Sequence, residues 1–138
     1  MGPRREGGSG LGDSSRDLQL RVAGAACALV AAGIHLALAF SDLIPGESTR
    51  GPAFALMGLG FAACAVVLFF RKLELDVLVL VYVAGLVLAY VGTRDERPVE
   101  VIGLSSKAVE SVLLVIVAIL LARRRASKLP SERRSTRS

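Results

Sequence analysis

The sequence predicts an all-α polytopic membrane protein, a bundle of four transmembrane helices with both chain ends on the cytoplasmic side. Three observations predict it. Hydrophobic residues make up 53% of the 138 positions, and they gather into four long runs that hold almost no charge. The charged 21% lies mainly in two tails and three short loops. A soluble helix mixes charge along one face to keep that face wet, whereas these runs are apolar all round. Lys and Arg also fall unevenly on alternate sides of the runs, as in proteins that obey the positive-inside rule.

Met1 to Asp17 is rich in Gly, Ser and Arg, with too little apolar surface to fold alone, and reads as a disordered cytoplasmic tail. Glu6 stands where a myristoylation signal at Gly2 needs Ser or Thr. Val22 to Phe40 follows, a run whose only ionisable side chains are His35 and the weakly acidic Cys27. As a helix it reaches about 28 Å, close to the ~30 Å hydrocarbon core of a bilayer. Ala37-Leu38-Ala39 resembles the cleavage site of a signal peptide. The run is longer than a normal signal core and three more hydrophobic segments come after it, so a retained first helix over about 20–40 is expected.

Pro45, Gly46 and Gly51 punctuate a short loop. Pro52 then suits the first turn of a helix, where its missing N–H costs nothing, and an uncharged second run extends to Phe70. Arg71 to Asp76 reads as a tight, charged hairpin connection. The third run is Val77 to Val91, which Leu73 and Leu75 lengthen to about 74–91. Gly92 to Glu100 is polar and holds Pro98. The fourth run, Val101 to Ala122, is the weakest, because Lys107 and Glu110 interrupt it. Residues 123–138 form a second basic tail. The transmembrane domain is thus expected over 18–122.

Of the 17 Lys and Arg residues, Arg50, Arg94, Arg97 and Lys107 fall on one side and the other 13 on the side of the two tails. That asymmetry is self-consistent only for an even number of spans, and it puts the tails inside. Small residues recur at Gly24, Ala28 and Ala32, a spacing of four that lets helix backbones approach closely. The stripe suits packing within the chain and packing against a second subunit equally.

The net charge of +5 and pI of 9.9 raise nucleic acid as a partner. The basic residues flank apolar segments, however, and make no interleaved basic-aromatic surface. Anionic lipid head groups fit better, at roughly 1 kcal/mol per Lys or Arg near the surface. The expected partner is the lipid bilayer, with a homo-oligomer or a membrane-protein partner left open, and no nucleic acid. Cys27 and Cys64 lack the C-x-x-C spacing, no second His completes a zinc pattern, and both read as small apolar residues.

One polar constellation stands out against the apolar runs. Ionisable groups within membrane spans are rare and usually face the bundle interior. His35 lies about 8 Å below the outer end of the first helix and Glu110 about 13 Å below that of the fourth. A shift of two to four residues in either helix end is enough to bring the two side chains to one depth, and they are expected to face each other. Lys107 stands three before Glu110 and four before Ser111, on one helix face. Ser106 adds a hydroxyl, Tyr90 reaches the same level from the third helix, and Asp42 and Glu100 stand at the outer mouth. His35, Lys107, Glu110, Glu100, Asp42 and Tyr90 form the candidate polar pocket.

Two readings of it stand side by side. It is a closed hydrogen-bond network that fixes which helices are neighbours, or it is a pocket for a proton, a metal ion or a small ligand. One His with carboxylates is a thin ligand set for a transition metal, so no metal site is expected. The chain carries no P-loop, dinucleotide fingerprint, H-E-x-x-H or serine-hydrolase motif, so no catalytic residue, cofactor or enzyme activity is expected.

Ile34-His35-Leu36, then Pro98-Val99-Glu100-Val101-Ile102-Gly103, then Lys107 and Glu110 resemble a family of small four-helix integral membrane proteins. In that family a His ends the first helix, a P-x-E-x-x-G stretch opens the last, and a Glu follows one to two turns inside. The resemblance covers roughly residues 22–122 and implies the bundle and the choice of His35, Glu100 and Glu110. It implies no substrate, since the family has no established biochemical activity. Two departures matter. Ser41 and Asp42 stand where family members often carry a second His, and this chain has no Trp before the P-x-E stretch. The expected function is therefore that of an accessory or structural membrane component. The alternative is binding or transport of a proton, metal ion or small ligand through the polar pocket.

Overall fold

The computed structural model describes residues 10–40, 51–92 and 101–135, with side chains over 14–40, 51–92 and 103–126. Four helices carry nearly all of them: α1 (Gly10–Phe40), α2 (Gly51–Val67), α3 (Leu73–Gly92) and α4 (Val101–Ser135). All four are long and apolar enough to cross a membrane.

Pro52 occupies the first turn of α2, as its fixed φ and missing donor allow. The other end of α2 tightens into a 3-10 turn, Leu68–Phe70, and Arg71 stops it in a left-handed conformation with φ 54°. That conformation is costly for any residue with a Cβ. Only Arg71 and Lys72 link the 3-10 turn to α3, and the Asp76 N–H donates to Lys72 O at 3.1 Å. The expected six-residue charged connection is therefore shorter. Glu74 and Asp76 belong to the first turn of α3, where acidic side chains meet the positive end of the helix dipole.

Helix also extends beyond the apolar runs. α1 begins at Gly10 and α4 continues to Ser135, both inside segments expected as tails. A formed helix adds one hydrogen bond per further residue, so propagation is far easier than nucleation. At the start of α1 an Asp17–Arg21 ion pair, four residues apart, adds support. Lys107 and Glu110 leave α4 continuous, because they pair with each other along it.

α1 is central to the bundle. It packs most extensively on α2 and next on α4, α3 packs on α4, and α2 and α3 share the smallest helix–helix contact. The core places small residues of α1 (Ala25, Ala28, Ala31 and Ala32) against larger ones, among them Phe61, Leu68, Leu113 and Val117. The stripe of small residues thus packs within the chain. A Cβ on Gly24 would lie 3.2 Å from Leu68 Cδ1 and 3.3 Å from Ile116 Cγ2. Gly58 of α2 approaches α1 so closely that a Cβ there would meet Leu36 Cγ at 2.7 Å and Ala32 O at 3.1 Å. Gly60 accommodates the Tyr82 ring from α3, whose Cζ an added Cβ would meet at 2.6 Å. Tyr82 donates its hydroxyl to Met57 O at 3.0 Å and packs edge-on to Phe61.

The outward faces are apolar as well, with Leu29, Leu56, Leu78, Leu88 and Val115 all more than half exposed. A soluble helix does not present such a surface over its whole length.

Candidate functional site

Arg21, His35, Asp76, Ser106 and Glu110 are buried among the described residues. They fall into two clusters near opposite ends of the bundle. Arg21 and His35 are 14 positions apart on α1, which is about 21 Å of helix axis. Ala25, Ala28, Ala31, Leu113 and Val117 fill the space between with apolar packing.

At one end, Glu110 of α4 is fully buried and accepts at both carboxylate oxygens. Ser106 Oγ donates to Oε1 at 2.9 Å, and Lys107 Nζ pairs with Oε2. These partners lie three and four residues away on the same helix, so the turn solvates its own carboxylate. Lys107 is only partly buried, and its ammonium stands 5.3 Å from the centre of the Tyr90 ring of α3, in cation–π range. His35 enters from α1. Its Nδ1 is 2.9 Å from Ala31 O and its Nε2 is 3.7 Å from Glu110 Oε1. Phe54 and Phe61 of α2 flank the imidazole, with ring centres 6.2 and 5.2 Å away.

The structure therefore brings together His35, Lys107, Glu110 and Tyr90 of the expected constellation. Ser106 joins them, while Ser111 turns outward and donates to Lys107 O of its own helix at 2.7 Å. Asp42 and Glu100 lie outside the described residues. Among the described residues no group of three or more His, Cys, Asp and Glu side chains is disposed to hold a metal ion.

The other end holds a second cluster, outside the expected polar pocket, in which Asp76 of the expected charged connection meets Arg21 from the start of the first expected helix. Arg21 is 1% exposed and Asp76 is not exposed at all. Arg21 Nη1 and Nη2 donate to the two Asp76 oxygens at 3.2 and 2.9 Å, a bidentate pairing. Nη1 also donates to Leu68 O at 2.6 Å, and Nε donates to Asp17 Oδ2 at 3.2 Å. Arg124 of α4 completes the group, with Nη1 at 3.4 Å from Asp76 Oδ2. Leu68 O is available because a helix leaves its last carbonyls without intrahelical partners. One guanidinium thus engages its own helix, the end of α2 and the start of α3, while Asp76 reaches α4.

Two signals in the sequence point to this cluster. Asp17 precedes Arg21 by four, and Asp76 is an acid in the first turn of an apolar run on the most basic side of the protein. Counting Lys and Arg alone passes over both, because that count ignores acidic partners.

The four helices and the two clusters define an all-helical bundle with four candidate membrane spans. The chain matches no protein-family model, no curated protein and no solved structure.

Proposed function

We propose that the chain is a four-span integral protein of the cell membrane, with both termini in the cytoplasm, acting as an accessory or structural membrane component rather than an enzyme. The membrane reading rests on four helices apolar on their inward and outward faces alike. The orientation rests on the 13-to-4 division of Lys and Arg. The accessory role is carried by one observation. Each buried charged side chain among the described residues meets an oppositely charged group of the same chain. Burial of this kind specifies which helices are neighbours and leaves no charge aimed at an absent substrate. The lipid bilayer is the obligatory partner, and a second membrane protein or a second copy is the partner that an accessory role requires.

The experiment has two arms. A reporter fused after Ser138 reads as cytoplasmic; an exported reporter overturns the orientation. Mild-detergent extraction at native levels followed by cross-linking recovers the chain in a complex. A strictly monomeric chain that captures no partner overturns the accessory role.

The alternative is binding or transport of a proton, metal ion or small ligand through the polar pocket of His35, Lys107 and Glu110, and the apolar core between the two clusters favours binding over passage through the bundle.

A further inference from the structure

His35 is the single histidine of the chain, and contacts at both ring nitrogens orient it. Nδ1 lies 2.9 Å from Ala31 O, the carbonyl one turn earlier on α1. A carbonyl oxygen only accepts, so Nδ1 carries a hydrogen and donates it. In a neutral imidazole that assignment leaves Nε2 with a bare lone pair. Nε2 faces Glu110 Oε1 at 3.7 Å. Glu110 already accepts from Ser106 at that oxygen and from Lys107 at the other, as an ionised carboxylate does. Two acceptors thus confront each other in a buried space.

No other donor among the described residues meets Nε2. From α2 the rings of Phe54 and Phe61 flank it. On α3, Tyr82 spends its hydroxyl hydrogen on Met57 O, and Tyr90 lies beneath the Lys107 ammonium. On α4, Ser106 and Lys107 both donate to Glu110. Among the described residues, Cys64, buried in the core of α2, is a further titratable group in this part of the core.

We propose that the space between His35 Nε2 and Glu110 Oε1 is a binding site for a single proton. The proton bonds to the Nε2 lone pair, converts His35 to imidazolium, and makes the pair an ionic clamp between α1 and α4. With Lys107 and Glu110 charged, the occupied cluster carries one net positive charge and the empty cluster none. Exchange occurs at the His35 end, because apolar packing closes the way to Arg21. This goes beyond the accessory role and does not depend on it.

The test uses the full chain in lipid bilayers with 15N-labelled histidine, whose ring signals are unambiguous because there is only one. Spectra are taken from about pH 5 to about pH 8, the range over which imidazole changes charge. Both ring nitrogens are protonated at the acid end. At the alkaline end Nε2 loses its proton and Nδ1 keeps its own. Glu110→Gln removes the counter-charge and weakens proton binding by roughly tenfold or more, a displacement of at least one pH unit. Ser106→Ala, which leaves the carboxylate in place, frees Oε1 of a competing donor, so the proton is held to higher pH. A ring that stays neutral throughout overturns the proposal, as does a neutral ring protonated at Nε2. It also fails if Ser106→Ala leaves the titration in place or moves it to lower pH, whether or not Glu110→Gln folds.

Discussion

The two ends of the bundle bury charge in different ways. At the Arg21 end the partners are far apart in the chain: Arg21 meets Leu68 O across 47 positions and Asp76 across 55. At the His35 end Glu110 takes its hydrogen bonds from Ser106 and Lys107, four and three positions away on its own helix. Among the described residues, the polar tie from that turn to α1 is the 3.7 Å approach of His35. Removing one partner of a buried pair strands the other charge. The Arg21 end is therefore the joint that holds several helices to one another. The His35 end is a locally solvated turn with looser contacts to α1 and α3.

The largest expected effect tests that contrast directly. Asp76→Ala leaves the Arg21 guanidinium buried without its bidentate partner and lowers stability by about 3–5 kcal/mol, read by unfolding in detergent micelles. Arg21→Met combined with Asp76→Ala recovers much of that loss, so the double-mutant cycle returns a large coupling energy. A cycle close to zero would mean that the cluster does not join α1 to α3. Glu110→Gln comes next. It keeps the Ser106 hydrogen bond and lets the partly exposed Lys107 turn outward, so the loss is about 1–3 kcal/mol. A loss equal to that of Asp76→Ala would erase the distinction between the ends.

Tyr82→Phe removes the hydroxyl that reaches Met57 O between α3 and α2, the least extensive helix contact. It costs about 1 kcal/mol in the same assay, with no change at either charged cluster. Arg71→Gly has the smallest effect and the opposite sign. It relieves the left-handed backbone at φ 54° and raises stability by about 0.5 kcal/mol after glycine's own entropy is set against the relief. A measured destabilisation would mean that the Arg71 side chain makes a contact worth more than the backbone cost.

The legibility of the two clusters differs for the same reason as their energetics. Lys107 and Glu110 stand at helical spacing, so their pairing is visible in the sequence, and depth counted from the helix ends brings His35 to the same level. The Arg21–Asp76 pair shows neither cue. Arg21 directly precedes an apolar run and Asp76 falls at the start of another, where charges ordinarily mark the boundary of a span. Their burial depends on two helix ends abutting and on the 3-10 turn after α2 leaving the Leu68 carbonyl to spare, and no local pattern encodes either event.

Helix identity and the approximate position of each apolar span were in the sequence; the extension of α1 back to Gly10 and of α4 on to Ser135 was not. Long runs of apolar residues with few charges, bounded by Pro, Gly and charged clusters, admit little besides helix, and their lengths reach 20 residues or more in each candidate span. The order of neighbours was not, nor the direction in which the small-residue stripe faces. A row of Gly and Ala permits close approach without naming a partner. Only the assembled bundle shows Gly24 under Leu68 and Ile116, Gly58 against Ala32, and Arg21 closed around Asp76. Those choices depend on shape and on charges meeting across more than fifty residues, which is the physical reason they belong to the tertiary structure.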